Sequence, residues 1–170
     1  MNGACAELKA LLLSAPVRRR LAVAESMTGG RVQSQITGIS GASEFFLGGI
    51  TAYTLEQKVT LLGVDREHAA SVDCVSARVA EEMAAGACRL FQADLAVATT
   101  GYAEPAPTLG VATPFAWVAV AACSGGMPRA VRGERIECAG ATRAEAQGRV
   151  ADAALRALLA VLREQAWRGI

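Results

Sequence analysis

Ser26 stands inside the run Glu25-Ser26-Met27-Thr28-Gly29-Gly30, directly after the apolar stretch Leu21-Ala22-Val23-Ala24. The apolar stretch predicts a buried strand, and Arg31 to Ile36 can wind as a helix. A serine at such a strand-to-helix turn points its hydroxyl out of the scaffold. The glycines behind it let backbone amides approach a ligand, so one turn can offer a nucleophile and anion-binding donors. A serine hydroxyl also needs a base. The single histidine, His68, stands alone in a polar stretch and is expected to be exposed, which leaves no usable Ser-His-Asp set. Lysine can act as the base once burial or a helix N-terminus brings its pKa down from about 10.4. The segment Thr51 to Lys58 puts a phenol, Tyr53, and an ammonium, Lys58, at the junction of a strand and a short helix. A second polar strand end is Thr100-Gly101, closing the buried strand expected over Leu95 to Thr100. In open α/β sheets ligands gather beyond the carboxyl ends of parallel strands, where Ser26 and Thr100 would both lie.

The elements that must position these groups follow from periodicity and breakers. Leu8, Leu11 and Leu12 have helical spacing, and Pro16 ends that helix. Gly49 to Tyr53 alternates like a strand, and Glu56 to Leu62 predicts a short helix. Ser76 to Phe91 predicts a longer helix with Val79, Met83, Ala87 and Leu90 on its inner face. Phe115 to Ala122 and Arg129 to Glu137 form a hairpin through Ser124-Gly125-Gly126. Thr142 and Glu145 have the form of a capping box for a final helix to about Arg163, with Val150, Leu155, Leu158, Leu159 and Leu162 inward. Strands and helices alternate, with one hairpin near the end. That pattern predicts a single three-layer α/β/α domain over residues 1–170, with a mixed, mostly parallel sheet.

Composition sets the partners. Lys and Arg number 17 against 16 Asp and Glu in 170 residues. Near-neutral charge removes the electrostatic case for nucleic acid or a membrane surface, and Arg18-Arg19-Arg20 is too short to restore it. Five scattered cysteines form no C-x-x-C pair, which with one histidine argues against zinc. Their odd number and the lack of a secretory signal lead us to expect reduced thiols in a cytoplasmic protein.

Several segments occur in order and at even spacing. They are Ala24 to Gly30, Gly41-Ala42-Ser43, Gly48-Gly49, Thr51-Ala52-Tyr53, Lys58, Leu61 to Val64, Val75-Ser76, Met83 to Ala87 and Thr100-Gly101. Together they resemble the CinA C-terminal domain family over nearly the whole chain, in what looks like its stand-alone form. The family includes nicotinamide mononucleotide deamidases. The resemblance implies an α/β/α fold, a homo-oligomer, and hydrolysis of the amide of nicotinamide mononucleotide to nicotinic acid mononucleotide and ammonia, with no metal and no cofactor. It places the catalytic serine, tyrosine and lysine on Ser26, Tyr53 and Lys58. The expected substrate-binding residues are Thr28, Gly29, Gly30, Thr100, Gly101 and Arg143. Amides of the glycine turn can serve either an oxyanion or a phosphate.

The chain departs from the family's pattern around that site. Where active-type members read Gly-Ile-Ala-Gly-Pro, this chain reads Gly101-Tyr102-Ala103-Glu104-Pro105. A carboxylate ~4 Å from a phosphate charge would be repelled by on the order of 1–4 kcal/mol, depending on exposure. Glu104 can instead pair with Arg143. Met27 replaces a cysteine, Leu55 an asparagine, and Gln147 a second basic residue. These changes keep open an alternative reading, a non-catalytic or altered-substrate nucleotide-binding paralog.

Overall fold

The apolar runs of the sequence become the centre of a five-stranded sheet. The computed structural model describes residues 3–13 and 18–164, so Pro16 lies outside the described residues. Helix α1 (Gly3–Leu13) leads to strand β1 (Leu21–Glu25), helix α2 (Arg31–Thr37) and strand β2 (Phe46–Thr51). Helices α3 (Leu55–Leu62), α4 (Arg66–Ser71) and α5 (Ala77–Phe91) follow, then strand β3 (Leu95–Tyr102). The hairpin of β4 (Phe115–Ser124) and β5 (Met127–Glu137) precedes helix α6 (Arg143–Glu164). Strand order is β2-β1-β3-β4-β5. β1 pairs in parallel with β2 and β3, whereas β3–β4 and β4–β5 are antiparallel. Four strands therefore share one direction and only β4 is reversed, which is the mixed α/β sheet that the alternation predicted. Among the described residues no helix is long and apolar enough to cross a membrane.

The two faces of the sheet are filled differently. Leu21 and Val23 of β1 and Leu95 and Val97 of β3 point into a core shared with α1, α2 and α6. The intervening residues are Ala22, Ala24, Ala96 and Ala98, joined by Ala119 and Ala121 of β4, and they face α3 and α5. Period-two alternation thus gives one face bulky side chains and the other a floor of methyl groups. α5 answers that floor with Ala80, Ala84, Ala87 and Gly86. A Cβ at Gly86 would sit 2.1 Å from the carbonyl oxygen of Leu62, at the end of α3. Gly86→Ala is accordingly expected to force α3 and α5 apart and to destabilise the protein by about 1–3 kcal/mol despite alanine's better helix propensity. A thermal melt checks this, and an unchanged or raised midpoint would refute the close contact.

Several local expectations change. Leu90 is 45% exposed, while Val79, Met83 and Ala87 are fully buried, because the inner stripe of α5 drifts past Leu90 at its last turn. His68 is half-buried, not exposed: it lies on α4, and its Nε2 is 2.9 Å from Ser76 Oγ. α4 itself carries too few apolar residues to be seen as a helix and is started by the Asp65 cap, whose side chain accepts from the His68 amide. The capping box of α6 forms in both directions: Thr142 donates its amide to Glu145 Oε2 at 2.8 Å, and the Glu145 amide donates to Thr142 Oγ1 at 3.4 Å. None of the five cysteines is in a disulfide.

Candidate active site

A cavity of about 480 Å³ opens at the carboxyl ends of β1, β2 and β3. Its wall includes Ser26, Tyr53, Lys58, Thr100, Glu104 and Arg143. The chain leaves β1 for β2 through α2 on one face and crosses from β2 to β3 through α3–α5 on the other. The crevice beside β1 is therefore a topological switch point, where neighbouring loops separate and leave room for a ligand.

The turn that carries Ser26 is held by the residue before it. Glu25 is fully buried at the end of β1. Its carboxylate accepts from the amides of Gly30 at 3.0 Å, Val32 at 3.2 Å and Gln33 at 2.9 Å, and from the side-chain amide of Gln33 at 3.0 Å. These are the orphan donors of the α2 N-terminus, so a resident anion satisfies them. Gly29 and Gly30 adopt left-handed φ values of 60° and 94°, which glycine reaches without strain and which let the chain reverse around the carboxylate. The Gly29 amide donates to the Ser26 carbonyl at 3.2 Å. Thr28 is fully buried, with Oγ1 2.7 Å from Thr99 Oγ1, tying the turn to β3.

Ser26, 7% exposed, meets its partner across the crevice. Lys58 lies in the first turn of α3, behind the Thr54 cap, and is 1% exposed. Its Nζ is 2.9 Å from Ser26 Oγ, 2.8 Å from the Ala52 carbonyl and 3.2 Å from the Tyr53 carbonyl. An ammonium would donate one hydrogen to each oxygen. A neutral amine would give its two hydrogens to the two carbonyls and turn its lone pair to the serine, which then donates its O–H. Three contacts around Nζ thus fix the geometry of both protonation states. Burial pushes the Lys58 pKa below the ordinary lysine value of 10.5, and the charges of Cys74, when ionised, and Asp73 oppose the shift. Cys74 is held above its usual range by burial, against the pull of Lys58.

The remaining expected residues divide. Tyr53 touches Lys58 through its carbonyl, while its phenol, on a residue 55% exposed, accepts from Arg143 Nη2 at 2.9 Å. A proton relay through the phenol is not what this arrangement offers. Arg143 Nη1 donates to Glu104 Oε1 at 2.7 Å, so Tyr53, Arg143 and Glu104 form a chain along the cavity mouth. Thr100 and Gly101 line the cavity, but the Thr100 hydroxyl donates to the Cys74 carbonyl at 2.7 Å. Gly101 is needed for sheet packing, since a Cβ there would lie 2.5 Å from the Phe115 carbonyl oxygen. Thr28, Gly29 and Gly30 are not in the cavity wall, and the Gly29 and Gly30 amides are already paired within the fold. The Gly29 and Gly30 amides thus hold the turn that carries Ser26. Tyr53→Phe keeps the carbonyl and removes only the Arg143 contact. It is expected to raise KM by about two- to tenfold with kcat nearly unchanged, as loss of one hydrogen bond to a charged group would do. Steady-state kinetics check this, and a large fall in kcat would return the phenol to the chemistry.

The same scaffold occurs elsewhere. The profile of the CinA C-terminal domain matches residues 6–162. The chain belongs to the CinA C-terminal domain family. A CinA-like protein of Chlorobium limicola is 41% identical over 147 residues, covering 85% of this chain and 34% of that protein. A CinA-like protein of Frankia casuarinae is 39% identical over 133 residues, 77% of this chain and 31% of that one. The chain thus spans about a third of the length of these curated relatives. Among solved structures, a competence-damaged protein (CinA) superfamily protein from Enterobacter cloacae superposes with TM-score 0.82 at 27% identity, covering 94% of this chain and 90% of that one. The competence damage-inducible protein A from Klebsiella pneumoniae gives 0.78 at 29% identity, covering 96% of each chain.

Within this CinA domain, some residues that build the site are not among the expected site residues. Glu25 is the main one. The available signal was an acid at the end of an otherwise apolar strand and six residues ahead of a helix start, a spacing that lets a carboxylate reach the helix amides. Asp73 and Cys74 line the cavity in consecutive left-handed conformations, φ 48° and 61°. Asp73 Oδ2 accepts from the Tyr102 hydroxyl at 3.0 Å, and burial followed by that bond pushes the Tyr102 pKa up to about 12. Gln147 donates to the Met27 carbonyl at 2.9 Å and so braces the serine turn from α6.

Proposed function

We propose that this CinA-family chain is a serine amidohydrolase that releases ammonia from a primary carboxamide, the class to which nicotinamide mononucleotide belongs. The observation that carries the proposal is the 2.9 Å contact between Ser26 Oγ and Lys58 Nζ, both buried side chains at the cavity wall. Lys58 takes the hydroxyl proton as Oγ attacks the carboxamide carbon. The resulting ammonium stands beside the forming tetrahedral centre and offsets its negative charge. Lys58 then returns the proton to the departing nitrogen, ammonia leaves, and the acyl group remains on Ser26 as an ester. Water attacks that ester with Lys58 again as base, which frees the carboxylic acid and restores the serine. The Ala52 and Tyr53 carbonyls keep Nζ aimed throughout.

The reading is tested by measuring ammonia release from nicotinamide mononucleotide alongside a panel of related primary carboxamides. Release from one or more, dependent on Ser26, supports it. No release from any of them, with binding of a nucleotide retained, would instead make the chain a non-catalytic binding paralog. The five unpaired thiols fit a reducing compartment, the cytoplasm, where pyridine nucleotides are recycled.

A further inference from the structure

Phosphate recognition by a protein usually rests on a cation left available for it, and here the suitable cation is engaged. The cations lining the cavity are Lys58 and Arg143. Lys58 Nζ is surrounded by Ser26 and two carbonyls, which leaves Arg143 for any anionic group of a substrate. Arg143 holds the Glu104 carboxylate at 2.7 Å, and its other terminal nitrogen is given to Tyr53. A second carboxylate, Asp73, stands in the same wall. With Lys58 neutral, as a base must be, the lining carries one guanidinium against two carboxylates.

We propose that Glu104 is a specificity residue that takes the place of a substrate phosphate on Arg143, so that the site selects phosphate-free carboxamides, uncharged or cationic. A pyridinium nucleoside is then preferred over its mononucleotide. This rests on the amidohydrolase reading for the site and deepens it. The selection does not need a strong ion pair. Side chains 47% and 61% exposed at Arg143 and Glu104 form a pair that solvent weakens. A phosphate that displaces the carboxylate from the guanidinium still finds it tethered in the same cavity wall, and the repulsion persists. A pyridinium ring meets the opposite situation, since both wall carboxylates attract it.

The test is a calorimetric titration of the Ser26→Ala protein, which removes turnover, with nicotinamide riboside and with nicotinamide mononucleotide. The riboside is expected to bind at least as tightly as the mononucleotide. Adding Glu104→Gln is expected to shift the affinity ratio toward the mononucleotide by about tenfold or more, with a smaller shift at high salt. Adding Arg143→Ala as well is expected to cancel that gain. A tenfold preference for the mononucleotide before Glu104 is changed would overturn the proposal. So would a ratio that Glu104→Gln does not move, a gain that survives Arg143→Ala, or binding of neither ligand to any variant. Ammonia release by the unaltered protein is read separately. Its failure refutes the amidohydrolase reading, while the affinity ratio still reports on Glu104.

Discussion

Ser26→Ala abolishes ammonia release, by on the order of 10⁴-fold or more, if Ser26 is the nucleophile of the proposed reaction. The fold is expected to survive the change. The Ser26 hydroxyl contacts Lys58 Nζ, while the turn around it is held through Glu25, Thr28 and Gln147. Lys58 retains the Ala52 and Tyr53 carbonyls as partners. The thermal midpoint should therefore stay within a few degrees of the unaltered protein, which corresponds to about 1 kcal/mol in a chain of this size. The decisive measurement is turnover of a carboxamide found active with the unaltered protein. Undiminished turnover in a folded Ser26→Ala protein would remove serine chemistry from consideration.

Lys58→Met has the second large effect, and it separates base from scaffold. Loss of a general base is worth about 10²- to 10⁴-fold in rate. The structural cost is mixed. The buried Ala52 carbonyl loses a donor, at about 1–3 kcal/mol, and the part-buried Tyr53 carbonyl loses one at a smaller cost, but an amine no longer has to be desolvated. The pH dependence gives the cleaner signature. Burial holds the folded-state pKa of Lys58 below the ordinary 10.5. In the unaltered protein kcat/KM should rise with pH through that lowered pKa and level off once the amine is neutral. Stability changes in the same direction. Between the folded pKa and the ordinary value the unfolded chain binds more protons, so stability rises with pH across that window, and the burden of a buried ammonium is fully present below it. Both rises should be absent in Lys58→Met. A Lys58→Met protein that keeps the pH profile of the parent would show that another group titrates.

The proposed nucleophile and base were legible in the sequence because each sits where chain direction changes. Ser26 ends an apolar run before glycines, and Lys58 opens a helix just after a strand. What those cues do not carry is side-chain direction. The phenol of Tyr53 and the hydroxyl of Thr100 are both at the expected strand ends, yet one turns to Arg143 and the other to the Cys74 carbonyl. The glycine turn reads as a ligand cradle only if its amides are vacant. Glu25, a charged residue at the end of a strand, ordinarily signals solvent, and only its spacing from the helix start hints that it folds back under α2. The sheet and its long helices were clear from periodicity. The short α4 was not, since six residues with the Asp65 cap give little pattern to read. Glu104 was visible as an oddity with Arg143 as one candidate partner, and the way α6 meets the loop after β3 decides that pairing.

The alanine floor under α5 has a consequence for how this protein can change over evolutionary time. A slab whose helix rests on methyl groups has almost no slack: any enlarged side chain there moves a whole layer. The cavity mouth obeys different rules, because Glu104 sits on a loop and Arg143 at a helix start, and both present much of their surface to solvent. Mutations that alter what is recognised can therefore accumulate at the rim without drawing on the stability of the slab. Recognition and foldability are separately heritable in such an architecture, and a lineage can trade one ligand for another while its chassis stays constant.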